Sequence, residues 1–116
     1  MSNCIFCKIA NSEISTDLVL ATPDVVAFKD INPKAPVHVL AVPKKHISSV
    51  NDAVPADAEL LGKLMLAAKD VAAKMDVAKS GYRLIVNCGR DAGQVVDHLH
   101  LHVLGGKAFG KKGEEM

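Results

Sequence analysis

Three of the five histidines fall at positions 98, 100 and 102, alternating with Leu99, Leu101 and Val103. In an extended strand, side chains two residues apart share a face. The spacing therefore predicts three imidazoles along one side, with successive rings about 6.6 Å apart, while the aliphatic residues enter a core. Imidazole is largely neutral near pH 7, so each ring offers one bare nitrogen and one N–H donor. Rings placed side by side suit phosphoryl chemistry: one attacks, and its neighbours donate hydrogen bonds to the charge that develops. A single ion held by all three is geometrically awkward. The outer rings would stand about 13 Å apart along a strand, against Zn–N bonds of about 2.1 Å.

A second cluster of reactive residues lies at the other end of the chain. Cys4 and Cys7 form a C-x-x-C pair, which is half of a zinc site or a redox dithiol. The redox reading expects a strand before the pair, and only three residues precede Cys4. Cys88 reads as a packing residue, and His38 as an ordinary strand position among apolar neighbours.

The elements that must position these groups are short. Leu18 to Ala21 and Val25 to Phe28 read as two strands joined by a turn at Thr22-Pro23-Asp24. After the proline-broken stretch Asn32 to Pro36, Val37 to Val42 reads as a third strand closed by Pro43. Tyr82 to Asn87 and His98 to Leu104 are two more. From Ala56 to Met75 the residues Leu60, Leu61, Leu64, Met65, Ala68, Val71, Ala72 and Met75 recur at helical spacing and predict one buried stripe. Strands, a long helix, then strands make an α+β class with a mostly antiparallel sheet.

Length and composition narrow the function. The 116 residues suit one domain, and 49% hydrophobic against 23% charged side chains describes a globular chain. A net charge of +1 gives no field to gather nucleic acid or an anionic membrane, and 3% aromatic residues weaken any stacking-based strand binder. The first twenty positions lack a signal-peptide core and no apolar run is long enough to span a bilayer, so a cytoplasmic protein is expected.

The run His98-Leu99-His100-Leu101-His102-Val103-Leu104 resembles the signature of the histidine triad (HIT) family, and Gly105-Gly106 after it resembles the Hint branch. Cys4 to Ile9, Ala27 to Pro33, Val42 to Ile47, Asn87 and Gly93-Gln94 are similar to that branch as well, so the likeness covers nearly the whole chain. The resemblance implies the HIT fold, with its sheet continued across a homodimer. It further implies a nucleotide hydrolase in which His100 attacks the α-phosphorus, His102 contacts phosphate oxygens and His98 supports them. Phe6, Ile9, Ile14, Phe28 and Ile31 match positions that sandwich a base, purine preferred. Asp30 matches a ribose ligand, Gly93, Gln94 and Val95 a backbone cradle for the α-phosphate, and Asn87 a side-chain contact to it.

Bacterial-type members with this N-terminus hold zinc on residues matching Cys4, Cys7, His46 and His98, which implies a structural zinc and no organic cofactor. Two departures are visible: Val95 stands where eukaryotic-type members carry Ser, and the stretch 107–116 lacks their Trp-containing end and reads as a mobile tail. Purine nucleoside phosphoramidates or related nucleotidyl conjugates are the expected substrates. A dinucleoside polyphosphate hydrolase, a nucleotide-binding interaction protein with little turnover and a zinc-dependent redox or regulatory module are the alternatives.

Overall fold

The computed structural model describes residues 4–109. Five strands, β1 (Leu18–Ala21), β2 (Val25–Lys29), β3 (Val37–Pro43), β4 (Tyr82–Ile85) and β5 (Leu101–Gly105), form one antiparallel sheet in the order β1-β2-β3-β5-β4. The long helix α2 (Ala58–Lys74) covers one face, and a six-residue helix α1 (Ile5–Ala10) lies on the other. This is the expected α+β arrangement, with one element the sequence pattern did not reveal. Among the described residues no helix is long and apolar enough to cross a membrane.

Strand alternation sorts the two faces. Val25 and Ala27 of β2, Val39 and Ala41 of β3, and Leu101 and Val103 of β5 meet Leu64, Ala67, Ala68, Val71 and Ala72 of α2 in the main core. The predicted stripe is correct except at Met65, which is 53% exposed. The helix also starts two residues later than expected, because Pro55–Asp57 forms a 3-10 turn before it. Val26, Phe28, Leu40 and Val42 point the other way and are covered by Phe6 and Ala10 of α1.

The turn between β1 and β2 closes as its residues suggest: Thr22 Oγ1 accepts the backbone N–H of Val25 at 2.9 Å, and Thr22 N–H reaches the Val25 carbonyl at 2.8 Å. Gly105, paired with both Val37 and Tyr82, sits where a Cβ would come within 2.9 Å of the Val77 side chain. The strand can pass under Val77 only because that atom is missing. Phe109, at the start of the expected mobile tail, has the Arg83 guanidinium 4.4 Å above its ring, and residues 110–116 lie outside the described residues.

The histidine run requires a correction. β5 begins at Leu101, so His102 alone of the three belongs to the ladder, opposite Leu40 and Ile85. His98 and His100 lie on the approach. The cause lies on the neighbouring strand: Pro43, at the end of β3, has no N–H, and its carbonyl accepts the His98 side chain at 2.8 Å instead of a backbone amide. The Leu99 amide turns away to the Ile47 carbonyl at 2.7 Å. The rings of His100 and His102 consequently stand 5.0 Å apart, closer than an even strand would hold them.

Candidate active site

The histidines are fixed by three different partners. His98 is fully buried; its Nε2–H donates to Pro43, so Nδ1 is the bare nitrogen, and it faces Cys4 Sγ at 3.3 Å and Cys7 Sγ at 3.4 Å. His100 Nδ1–H donates to the His98 carbonyl at 2.7 Å, which leaves Nε2 with its lone pair free. His102 is governed from β3. The backbone N–H of Lys34 donates to His38 Nδ1 at 3.0 Å, so the proton of neutral His38 is on Nε2, which lies 2.9 Å from His102 Nδ1 and 3.4 Å from Asp30 Oδ2. With Nδ1 accepting, His102 carries its proton on Nε2, a buried atom with no protein partner.

Two neighbouring rings thus present opposite chemistry, a lone pair on His100 and an N–H on His102. Burial first, then the neighbouring His100 and His38, pushes His102 down to about 4, so it is neutral near pH 7. Burial likewise lowers His38, with Asp30 opposing, and lowers His98. Burial is what keeps His102 a neutral donor.

Both rings open onto a cavity of about 290 Å³. Of the residues singled out in the sequence, Phe6, Ile9, Phe28, Asp30, Ile31 and Val95 line it with His100 and His102. Ile5, Thr16, Lys29, Leu40 and Val96 join them, none of which the sequence had singled out as a site residue. Ile31 and Val95 are 91% and 89% exposed. Asp30 does two things: Oδ1 accepts the Asn32 amide at 2.8 Å, a local turn bond, and Oδ2 faces His38.

Four of the singled-out residues lie elsewhere. Ile14 borders a separate shallow hollow with Ser12 and Leu18. Asn87 and Gly93 are not on the cavity wall. Gly93 closes a 3-10 turn (Arg90–Ala92) at φ +86°, with nothing within 4 Å of an added Cβ; backbone conformation, not close approach, favours glycine there. Gln94 spends its side chain on structure, accepting from Gly89 N–H and donating to the carbonyl of Val96 in its own loop and to that of Ser48 in the segment after β3.

The donor atoms of Cys4, Cys7, His46 and His98 all lie within 4.8 Å of one another. Cys7 Sγ is 3.2 Å from His46 Nδ1, and Cys4 and Cys7 Sγ are 3.3 and 3.4 Å from His98 Nδ1. A tetrahedral zinc with ordinary bond lengths separates its sulfur and nitrogen ligands by about 3.5 Å. The bare Nδ1 of His98 points inward, as a ligand must. Two thiols and two imidazoles at these spacings fit a closed structural zinc.

Sequence reasoning missed His38. Its alternation with Leu40 and Val42 puts it on the α1 side of β3, but only the β3–β5 register, in which Leu40 faces His102, shows that it meets the His102 ring. The short α1 was missed because six residues give too little periodicity to register.

A small α+β protein with alternating histidines on the rim of an apolar cleft is a recognisable kind. The chain belongs to the HIT family: the HIT domain matches residues 11–109. It is 49% identical over 105 residues to an uncharacterised HIT-like protein of Synechocystis, spanning 90% of this chain and 91% of that one. It is 42% identical over 106 residues to the purine nucleoside phosphoramidase of Escherichia coli K12, spanning 91% and 89%. A solved HIT family hydrolase from Legionella pneumophila superposes with a TM-score of 0.91 at 44% identity, covering 94% of this chain and 97% of that one.

Proposed function

We propose that this protein is a nucleotide hydrolase that cleaves purine nucleoside phosphoramidates, or related nucleotidyl conjugates, through a nucleotidyl intermediate on His100. The observation that carries the reading is the pair of opposite tautomers: a bare His100 Nε2 beside the unpartnered N–H of His102, on one wall of an apolar cavity. The similarity to a purine nucleoside phosphoramidase supports the substrate class.

In this mechanism the purine lies between Phe6, Ile9, Phe28 and Ile31, and Asp30 accepts the ribose hydroxyls. His100 Nε2 attacks the α-phosphorus, forming a P–N bond, while the bond to the leaving amine breaks and the amine departs with that electron pair, gaining a proton from water. The His98 carbonyl steadies the positive charge that His100 acquires, and His102 Nε2–H donates to a phosphoryl oxygen as its charge grows. Water then attacks phosphorus as the P–N bond breaks: His100 Nε2 takes back that electron pair and is neutral again, the water's proton passes to solvent, and the monophosphate leaves. Splitting one displacement into two easier ones is the gain of the covalent route.

Cys4, Cys7, His46 and His98 would hold a zinc ion whose contribution is structural. Among the described residues no strand pairs with the outer edge of β4, which, with Met65 and Leu66 exposed on α2, is in keeping with a homodimer joined through that edge. Among the described residues Cys4, Cys7 and Cys88 form no disulfide, in keeping with a reducing compartment, the cytoplasm.

The test is trapping. Incubation with a labelled adenosine phosphoramidate followed by a non-acidic quench should leave one adenylyl group on His100. The His100→Ala variant should take up no label while still binding AMP. Tight AMP binding by the native protein with neither label nor turnover would replace the enzyme by a binding protein.

A further inference from the structure

The four thiol and imidazole ligands come from three separate stretches. Cys4 precedes α1 and Cys7 lies within it, His46 follows β3, and His98 stands two residues before His100. A helix of six residues does not hold its shape alone in water, and α1 buries only Phe6, Cys7 and Ala10. Yet it gives the cavity three of its walls, Ile5, Phe6 and Ile9. The Phe6 ring stands nearly perpendicular to His100, at 83° and 5.2 Å between centroids, and lies 5.4 Å from Phe28.

We propose that the Cys4–Cys7–His46–His98 cluster is a clasp that assembles the nucleotide pocket: a metal held there fixes α1 on the sheet, and metal and nucleotide bind with positive linkage. The proposal rests on the metal and nucleotide readings above. It asks more of the ion than folding stability, because the helix it fastens is the same one that carries a wall of the base site.

His98 sharpens the expectation. It is at once a ligand and the residue whose carbonyl orients His100. Its position does not depend on the ion alone, however, since Nε2–H is held by Pro43 and the next amide by Ile47. Loss of metal should therefore release α1 and leave the His100 tautomer in place. Nucleotide affinity and KM should move, and the chemical step much less. Reciprocity then requires bound nucleotide to tighten the metal by the same factor.

The experiment uses the full chain loaded with zinc and the same protein stripped by a chelator. AMP binding is titrated by calorimetry, and amide exchange is followed over residues 5–10 and 58–74. We expect AMP to bind about tenfold more weakly to the stripped protein, and saturating AMP to strengthen zinc binding about tenfold. Protection should be lost in α1 and kept in α2. Phe6→Leu should weaken AMP while keeping one zinc per chain, and Cys4→Ser should reproduce the stripped protein. Zinc bound one to one with AMP affinity identical in both forms would overturn the clasp and leave the metal reading standing. Failure to retain zinc would overturn both. Collapse of α2 protection together with α1 would also overturn it, since the ion would then hold the whole fold. AMP bound by neither form would overturn the nucleotide reading and the clasp with it.

Discussion

His38 Nε2 lies 2.9 Å from His102 Nδ1, and this contact decides which nitrogen of His102 carries the proton. The order of command runs from a backbone amide, Lys34 N–H, through His38 to His102, so that a main-chain donor ultimately specifies a proton two rings away. Replacing His38 by Ala frees His102 to present a bare nitrogen to an anionic phosphate, which repels it. We expect kcat to fall about ten- to hundredfold with KM little changed. His38→Gln, whose amide N–H can still donate, should recover part of the loss. Nitrogen NMR of His102 gives an independent reading: the Ala variant should show mixed tautomers and the native protein one. A single unchanged tautomer in the variant would remove His38 from the scheme.

Asp30 separates a turn role from a ligand role. Asp30→Asn keeps an oxygen to accept the Asn32 amide but loses the charge. Hydrogen bonds to a charged group are worth about 1.5–3 kcal/mol, so AMP should bind about ten- to hundredfold more weakly while the thermal midpoint barely moves. The 2′,3′-dideoxy analogue should bind native and variant protein alike. If AMP does not distinguish them, Asp30 serves its turn and His38 and is no ribose ligand.

How far the sequence could be read depended on whether a residue's neighbours were local. The α2 stripe and the Thr22-Pro23-Asp24 turn were legible because a few adjacent residues determine them. The alternation of His98, His100 and His102 identified the reactive cluster, but not that the ladder stops short of His100. That follows from Pro43, 55 residues before His98, which offers a carbonyl and no amide. Phe6, Ile9, Phe28, Asp30 and Ile31 were read from family likeness and all border the cavity, whereas Lys29 and Thr16 carry no signal until α1 and β2 are packed side by side. Cys4 and Cys7 announced half a metal site by spacing. His46 and His98 complete it only through long-range packing, as His38 completes the other cluster.

Gly105 tests the packing beneath the histidines. A methyl group there meets the Val77 side chain at 2.9 Å, and neither a central strand nor a buried valine can yield easily. Gly105→Ala should cost about 1–3 kcal/mol by urea unfolding. Val77→Ala alone should also destabilise, by cavity formation. Combined, the two should cost less than their sum, because the smaller residue removes the clash. Strict additivity would show that the strand relaxes around the methyl group unaided.

The low value of His102 also predicts how stability responds to acid. In the unfolded chain the ring titrates near 6.5, and in the fold near 4, chiefly because burial opposes its charged form. Between those values the unfolded chain binds a proton that the fold refuses, so acid favours unfolding. The contribution is complete above pH 6.5 and is lost as pH falls toward 4, a difference of about 3 kcal/mol for the whole shift. His38 is lowered by burial too and acts in the same direction, so the native protein should lose more than one ring can explain. The His102→Asn variant isolates the share of His102: its urea midpoint should start lower near pH 7 and decline less steeply toward pH 4.5. Parallel declines would mean that His102 accepts its proton in the folded protein as readily as in the unfolded one. The N–H it offers to phosphate would then not be that of a neutral ring.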